Sequence, residues 1–238
     1  TIDKIKSDFD DLYEVTNKGD PTQLEKITIM GGEPLLYPDI IPAMIYIKTK
    51  FNRVPDVQLL TNGTLLNRMS PEFFQTLRDL ELTVCVSIYK YIKYDPIMEI
   101  LQRENIKFYS YIAGGEPGSQ MFASKWLHSH YSEEDRESAQ ECIWRKTCTQ
   151  LVDGKIYLCP LIAYFKHFDK HCDDVGYKHN FVITDEDSID LSEVASWDEL
   201  QEERGKVPHF CGYCRGSHAI SQPWDITKRE VSEWVHDD

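Results

Sequence analysis

The chain has 238 residues, 41% of them apolar and 28% charged, enough for one large domain or for a barrel-like domain with a smaller appendage. Its formal charge of −14 and pI near 5.0 argue against a nucleic-acid partner, because gripping a phosphate backbone takes basic patches. No apolar run approaches the roughly 18–20 residues that span a bilayer, and no signal peptide is visible, so a cytoplasmic protein without a membrane partner is expected.

In chain order, Ile2, Ile5, Phe9, Leu12 and Val15 recur at spacings of three and four, the pattern of an amphipathic helix. Ile27, Ile29 and Met30 form a short apolar strand that Gly31 and Gly32 break, and Glu33 and Pro34 complete the sequence GGEP. Pro38 and Asp39 then open a helix carrying Ile40, Ile41, Met44, Ile45 and Ile47, to about Phe51. Residues 57–60 read as a second strand, closed by Thr61, Asn62 and Gly63. Ser70 and Pro71 are a capped helix start, with Phe73, Phe74, Leu77 and Leu80 on the buried face. Residues 82–88 (LTVCVSI) are a third strand, Asp95 and Pro96 open another helix, and residues 107–112 are a fourth strand that leads to a second GGEP at 114–117.

Strand, turn and helix thus repeat four times, which predicts an α/β domain with a parallel sheet. The short crossovers suit a partial (β/α) TIM-type barrel, whose functional groups would gather at the carboxyl ends of the strands: residues 31–34, Thr61, Asn62 and Ser87. A second reading of Asn62 is a tight-turn residue, since Asn-Gly is a common turn pair. Residues 118–141 are polar and predict a loop leading into a helix, with no further clear strand. Domains are expected at 1–140 and 141–238.

The second half carries most of the seven cysteines, whose number in a chain without secretory features favours reduced thiols serving a metal over disulfides. Residues 148–159 read CTQLVDGKIYLC, and Asp153-Gly154 between two β-rich runs predicts a two-residue hairpin. Pairing Val152 with Lys155 sets Leu151 against Ile156 and Cys148 against Cys159, with Cβ atoms about 4.5–5.5 Å apart. Cys211 and Cys214 add a CxxC knuckle, and such a four-cysteine set is accepted by tetrahedral zinc and by an iron–sulfur cluster alike. Cys85, inside a strand, is expected to be a core thiol, while Cys172 reads equally as a surface thiol or a spare ligand.

A strand ending in GGEP, followed by Leu-Leu and a Pro-Asp helix start, resembles the GGEP motif of the radical S-adenosylmethionine (SAM) enzymes. The resemblance implies that Gly31, Gly32, Glu33 and Pro34 contact the amino end of SAM, and that Asn62 and Ser87 meet its carboxylate or ribose. Residues 110–116 (SYIAGGE) partly resemble the run where that family places adenine, which adds Ile112 and Gly114. Gly154, Cys159-Pro160 and the distant CxxC are similar to the Twitch or SPASM extension that follows the barrel in many of these proteins. That likeness implies an auxiliary [4Fe–4S] cluster on Cys148, Cys159, Cys211 and Cys214, with Cys142 as an alternative ligand. The cysteine count suits the single-cluster Twitch type. The family also needs a CxxxCxxC segment for the [4Fe–4S] cluster that cleaves SAM; no cysteine precedes Cys85, so that cluster is expected from residues upstream of Thr1.

The implied activity is that of a radical SAM oxidoreductase. It would cleave SAM to a 5′-deoxyadenosyl radical and oxidise a small-molecule substrate, such as a sugar or aminocyclitol alcohol. A reducing partner such as flavodoxin or ferredoxin would supply the electron. Two alternatives stand beside it: a radical SAM peptide-modifying maturase, and a non-catalytic scaffold with structural zinc. Tyr89, Tyr109 and Tyr164 offer phenols for proton transfer, and the sequence does not choose among them.

Overall fold

The computed structural model describes residues 1–89, 92–112, 121–124, 126–214, 220–223 and 226–236, and the chain divides into two compact units, Thr1–Gln120 and Met121–Asp238. In the first unit, α1 (Ile2–Val15) precedes the alternation β1 (Lys26–Ile29), α2 (Ile40–Lys50), β2 (Asp56–Thr61), α3 (Pro71–Asp79), β3 (Thr83–Ile88), α4 (Asp95–Arg103) and β4 (Phe108–Ile112). The strands form one parallel sheet in the order β1-β2-β3-β4, the α/β arrangement that the alternation predicts.

Register assigns the two faces. Ile27 pairs with Val57, Leu59 with Val84, and Val86 with Ser110, so one face is almost wholly apolar. Crossovers between neighbouring parallel strands are right-handed, which puts the intervening helices on one side of the sheet. Met44, Ile47, Phe73, Leu77 and Leu101 are buried with that strand face and make the core. Each such side chain contributes about 1.5–3 kcal/mol by leaving water. α1 closes over α2, where the rings of Phe9 and Tyr13 meet Phe51 edge-on at 5.7 and 5.5 Å. Ser70 caps α3 as expected, its Oγ accepting from Phe73 N at 3.3 Å.

The opposite face is polar. Gln58 pairs with Thr83, Cys85 with Tyr109 and Ser87 with Tyr111, which sets hydroxyls, an amide, a thiol and phenols side by side. Cys85 is buried there, the core thiol its strand position implies.

The second unit is built from short elements. β5 (Met121–Ser124) pairs antiparallel with β9 (Ile220–Pro223), far along the chain. This strand corrects the expectation of a strandless loop over 118–141: its partner lies about a hundred positions away, so no local hairpin signal announces it. Between them come α5 (Glu133–Ser138), α6 (Ile143–Thr147), the hairpin β6 (Gln150–Val152) and β7 (Lys155–Tyr157), α7 (Pro160–Ala163), α8 (Phe165–Val175), β8 (Ile189–Asp190) and α9 (Trp197–Gly205). A 3-10 segment, His209–Tyr213, carries the first knuckle cysteine. The hairpin has the expected register, and Asp153 and Gly154 turn it with φ of 60° and 73°, the positive values of a type I′ turn. Leu127, Ile162, Phe165, Phe181, Phe210, Tyr213 and Val235 form the core of this unit. Cys172 lies fully buried in α8, a packing thiol rather than a surface one. Among the described residues no helix is long and apolar enough to cross a membrane.

Gly63, just past β2, has φ +75°, and a Cβ there would stand 2.7 Å from Ile97 Cγ2. Gly63→Ala is expected to lower stability by about 2–4 kcal/mol, from backbone strain and overpacking together. Urea unfolding measures it. A loss under about 1 kcal/mol would mean that Ile97 swings aside and the turn relaxes.

Candidate functional site

At the carboxyl edge of the sheet, Gly31 and Gly32 leave β1 exposed, and among the described residues no atom would lie within 4 Å of a Cβ on either. The backbone of both is therefore open to close approach by a ligand. Glu33 does not share that freedom. Its Oε1 accepts from Leu35 N at 3.0 Å and from Thr61 Oγ1 at 2.6 Å, and its Oε2 accepts from Asn62 N at 3.0 Å. Three of the roughly four acceptor positions of a carboxylate are filled, so about one is left for a ligand. Pro34 starts a 3-10 turn, Pro34–Leu36, which Glu33 caps.

Asn62 Oδ1 accepts from Thr64 N at 2.9 Å and from Thr64 Oγ1 at 2.6 Å, which is the tight-turn role weighed for it from sequence. Ser87 is buried at the end of β3 and donates from Oγ to the Tyr111 hydroxyl at 3.1 Å. The Tyr94 hydroxyl donates to Ser87 O at 2.8 Å and accepts from Tyr89 N at 2.7 Å. Ile112 ends β4 and pairs with Ile88; Gly114 and the second GGEP lie outside the described residues.

Along the polar face, Tyr109 donates to Gln58 Oε1, and Lys26 pairs with Asp56 at 3.8 Å. Burial raises the phenol pKa values of Tyr89 and Tyr94, and pushes that of Tyr109 up to about 12, where a bond to the Cys85 thiol adds to it. These phenols stay protonated at neutral pH and serve as hydrogen-bonding groups, not as bases. Tyr164, in the second unit, is raised by burial as well.

The structure gathers four cysteines, with one change from the hairpin expectation. Cys142, Cys159, Cys211 and Cys214 line a single cavity together with Ala139, Arg145, Leu161, Ile162 and Phe210. Cys148 does not line it. The ladder ends at Gln150–Tyr157, and Cys148 instead caps α6 with φ −109° and ψ 43°, so the extended backbone that would carry it opposite Cys159 is lost. Cys142 sits at the other end of the same helix, at its N-cap, and Cys159 is the N-cap of α7. The knuckle is tightened by Cys214 N donating to Cys211 O at 3.1 Å. Gly212 between them is packed against the Tyr131 ring, which would lie 2.3 Å from a Cβ. Burial pushes the Cys211 thiol far above its usual range, with the sulfurs of Cys214, Cys159 and Cys142 adding to the effect.

Among the described residues no three Cys, His, Asp or Glu side chains are drawn together as tightly as one metal ion requires. Four sulfurs around a single zinc stand about 3.8 Å apart. A cube of four irons takes one cysteine sulfur at each iron and holds them wider, and an all-cysteine donor set is accepted by either centre. Among the described residues these are the four cysteines that share one cavity.

Two buried charged residues, one in the cavity wall and one beside the knuckle, have no sequence signature. Arg145 lies buried in its wall. Asp187 is buried beside the knuckle, accepting from Phe210 N at 2.6 Å and Thr184 N at 2.8 Å, and burial raises its pKa.

No family model matches the chain. A stretch of 73 residues is 36% identical to a probable GTP 3′,8-cyclase of Methanococcus maripaludis, covering 31% of this chain and 23% of that protein. The chain thus matches under a quarter of that relative's length.

Serine substitution separates the two cysteine sets. Cys142→Ser, Cys159→Ser, Cys211→Ser and Cys214→Ser are each expected to abolish or strongly reduce metal binding, and Cys148→Ser to retain it. Iron, sulfide and zinc assays on the purified variants read this directly. Full loss with Cys148→Ser and none with Cys142→Ser would restore the hairpin pair.

Proposed function

We propose that the protein is a radical SAM enzyme with one auxiliary iron–sulfur cluster, acting as an oxidoreductase on a small polar molecule in the cytoplasm. In this reading the first unit is part of a (β/α) barrel. SAM would lie along its carboxyl edge, against the backbone of Gly31 and Gly32, with Glu33, Pro34, Asn62, Ser87, Ile112 and Gly114 around it. The observation that carries the reading is the Glu33 clamp: one carboxylate fastens GGEP to the end of β2 while the two glycines beside it stay bare. The partial likeness to a GTP 3′,8-cyclase supports the same chemistry.

SAM and a reduced [4Fe–4S] cluster, when bound, supply hydrogen-atom abstraction, and an auxiliary cluster supplies a one-electron acceptor. The first cluster calls for a CxxxCxxC segment, which residues 1–238 do not contain. The chain's own residues bind and orient. Glu33 keeps about one acceptor position for an ammonium group. Ser87, Tyr89, Tyr109 and Tyr111 present hydroxyls along the polar face, where Lys26 and Asp56 offset each other. A wall of neutral hydrogen-bonding groups suits an uncharged or weakly charged polyhydroxylated substrate, such as a sugar or aminocyclitol alcohol. Cys142, Cys159, Cys211 and Cys214 would hold the auxiliary cluster, and a flavodoxin or ferredoxin would deliver the electron.

Two measurements test this. Protein expressed from its whole reading frame and purified anaerobically is expected to carry iron and sulfide in equal amounts, about four of each per cluster, and to form 5′-deoxyadenosine when reduced with SAM. Zinc without sulfide would sink the radical mechanism and leave a structural site. Gly32→Val is expected to keep the melting temperature, because a Cβ there meets no atom of the described residues within 4 Å, yet to weaken SAM binding in equilibrium dialysis. Unchanged SAM affinity in that variant would remove GGEP from the cofactor site.

A further inference from the structure

Arg145 is 7% exposed and stands in the wall of the four-cysteine cavity. Its guanidinium is held by backbone alone: Nε donates to Ala139 O at 3.3 Å, Nη2 to Gln140 O at 3.2 Å, and Nη1 to Arg204 O at 3.0 Å and Lys206 O at 3.3 Å. Among the described residues no carboxylate forms an ion pair with it. Glu141, four positions before it, is exposed and pairs with Lys146 at 2.8 Å, and Arg145 is the smallest influence on that carboxyl. A second cation stands close by. Arg204 has its Nε buried with no partner among the described residues, and burial, then repulsion from Arg145, lowers its pKa.

Buried charges in proteins are ordinarily paired, because an isolated one costs several kcal/mol of lost hydration. Carbonyl dipoles at the ends of the 139–141 turn and of α9 offset part of that cost. They do not supply a counter-charge to two neighbouring arginines. The cavity that Arg145 faces is lined by four thiols, and four thiolates on a doubly positive iron–sulfur cube leave a net charge of about −2. We propose that Arg145, backed by Arg204, is a positioning residue for an anionic cluster on Cys142, Cys159, Cys211 and Cys214, and that its charge raises the reduction potential of that cluster. This rests on the auxiliary-cluster reading above. The physical step is simple. Reduction adds one negative charge to the cluster, and a fixed cation in a poorly screened site stabilises the reduced form more than the oxidised one.

A purely structural arginine would give a different result, and the charge-conserving variant tells the two apart. Arg145→Gln and Arg145→Lys both lose carbonyl bonds, so both are expected to melt at lower temperature than the parent. Only Arg145→Gln is expected to move the midpoint potential of the auxiliary cluster, read by EPR-monitored redox titration, to a more negative value; Arg145→Lys is expected to keep it near the parent's. An iron-loaded Arg145→Gln protein with an unmoved potential overturns the inference and leaves the cluster reading standing. Should neither variant load a cluster, Arg204→Gln decides, since it removes the neighbouring charge and spares the backbone carbonyl that Arg145 uses. A smaller negative shift supports the inference, and no shift overturns it. Zinc without sulfide in the parent protein overturns the cluster reading and the inference together.

Discussion

The carboxylate of Glu33 ties the candidate site of the first unit together. Parallel strands are joined along their length by the backbone ladder, but the ladder between β1 and β2 stops at Ile29 and Leu59. Beyond it β1 leaves the sheet while β2 runs on beside β3 to Thr61, and the backbone at both exits needs other partners. Glu33 supplies them, accepting from Leu35 N on its own turn and from Asn62 N and Thr61 Oγ1 across the gap. Charge-assisted bonds of this kind are about twice as strong as neutral ones. One side chain thereby holds the exit of β1 against the exit of β2, and the glycines before it are displayed rather than buried. Thr61 Oγ1 in turn accepts from Gly63 N at 2.9 Å, which carries the same fastening into the next turn.

The cysteine cavity is built on another plan. Its four thiols come from helix ends and a 3-10 segment: the N-caps of α6 and α7, the segment His209–Tyr213 and the residue that follows it. Side chains at helix ends are aimed by cap geometry and by what packs on them, so the site depends on fixing several short elements at once. Asp187 fixes the start of the knuckle through Phe210 N, and Arg145 fixes two chain ends through four carbonyls. Phe210 itself joins the aromatic core, 5.0 Å from Phe165 and 5.6 Å from Tyr213. The knuckle is therefore anchored on one side by a buried carboxylate and on the other by packed rings.

Much of the first unit was legible because its signals are local. Short apolar runs, helical spacings of three and four, glycine breaks and a Ser-Pro helix start occur within a few residues of what they determine, and α1, α3 and the parallel sheet follow from them. The hairpin register was legible for the same reason, from Asp153-Gly154 alone. Cys148 was misplaced by extending that register two residues too far, past Gln150, into a helix cap that the pattern of alternation does not reveal. Arg145 and Asp187 were not legible at all. A charged residue in a polar stretch reads as solvated surface, and only tertiary packing shows that these two are buried. β5 was hidden because its partner comes from the far end of the chain.

That last pairing makes the second unit a closed loop. β5 opens it and β9 comes near its end, while Leu127 bridges both Cys214 and Val235. Leu127 N donates to Trp234 O at 2.8 Å, and His236 N donates to Leu127 O at 2.9 Å. Entry and exit of the chain thus share one edge, a few residues from the last knuckle cysteine. A segment so arranged is a cassette: it can sit at the end of a host domain, or between two of its elements, without its own cavity being rebuilt.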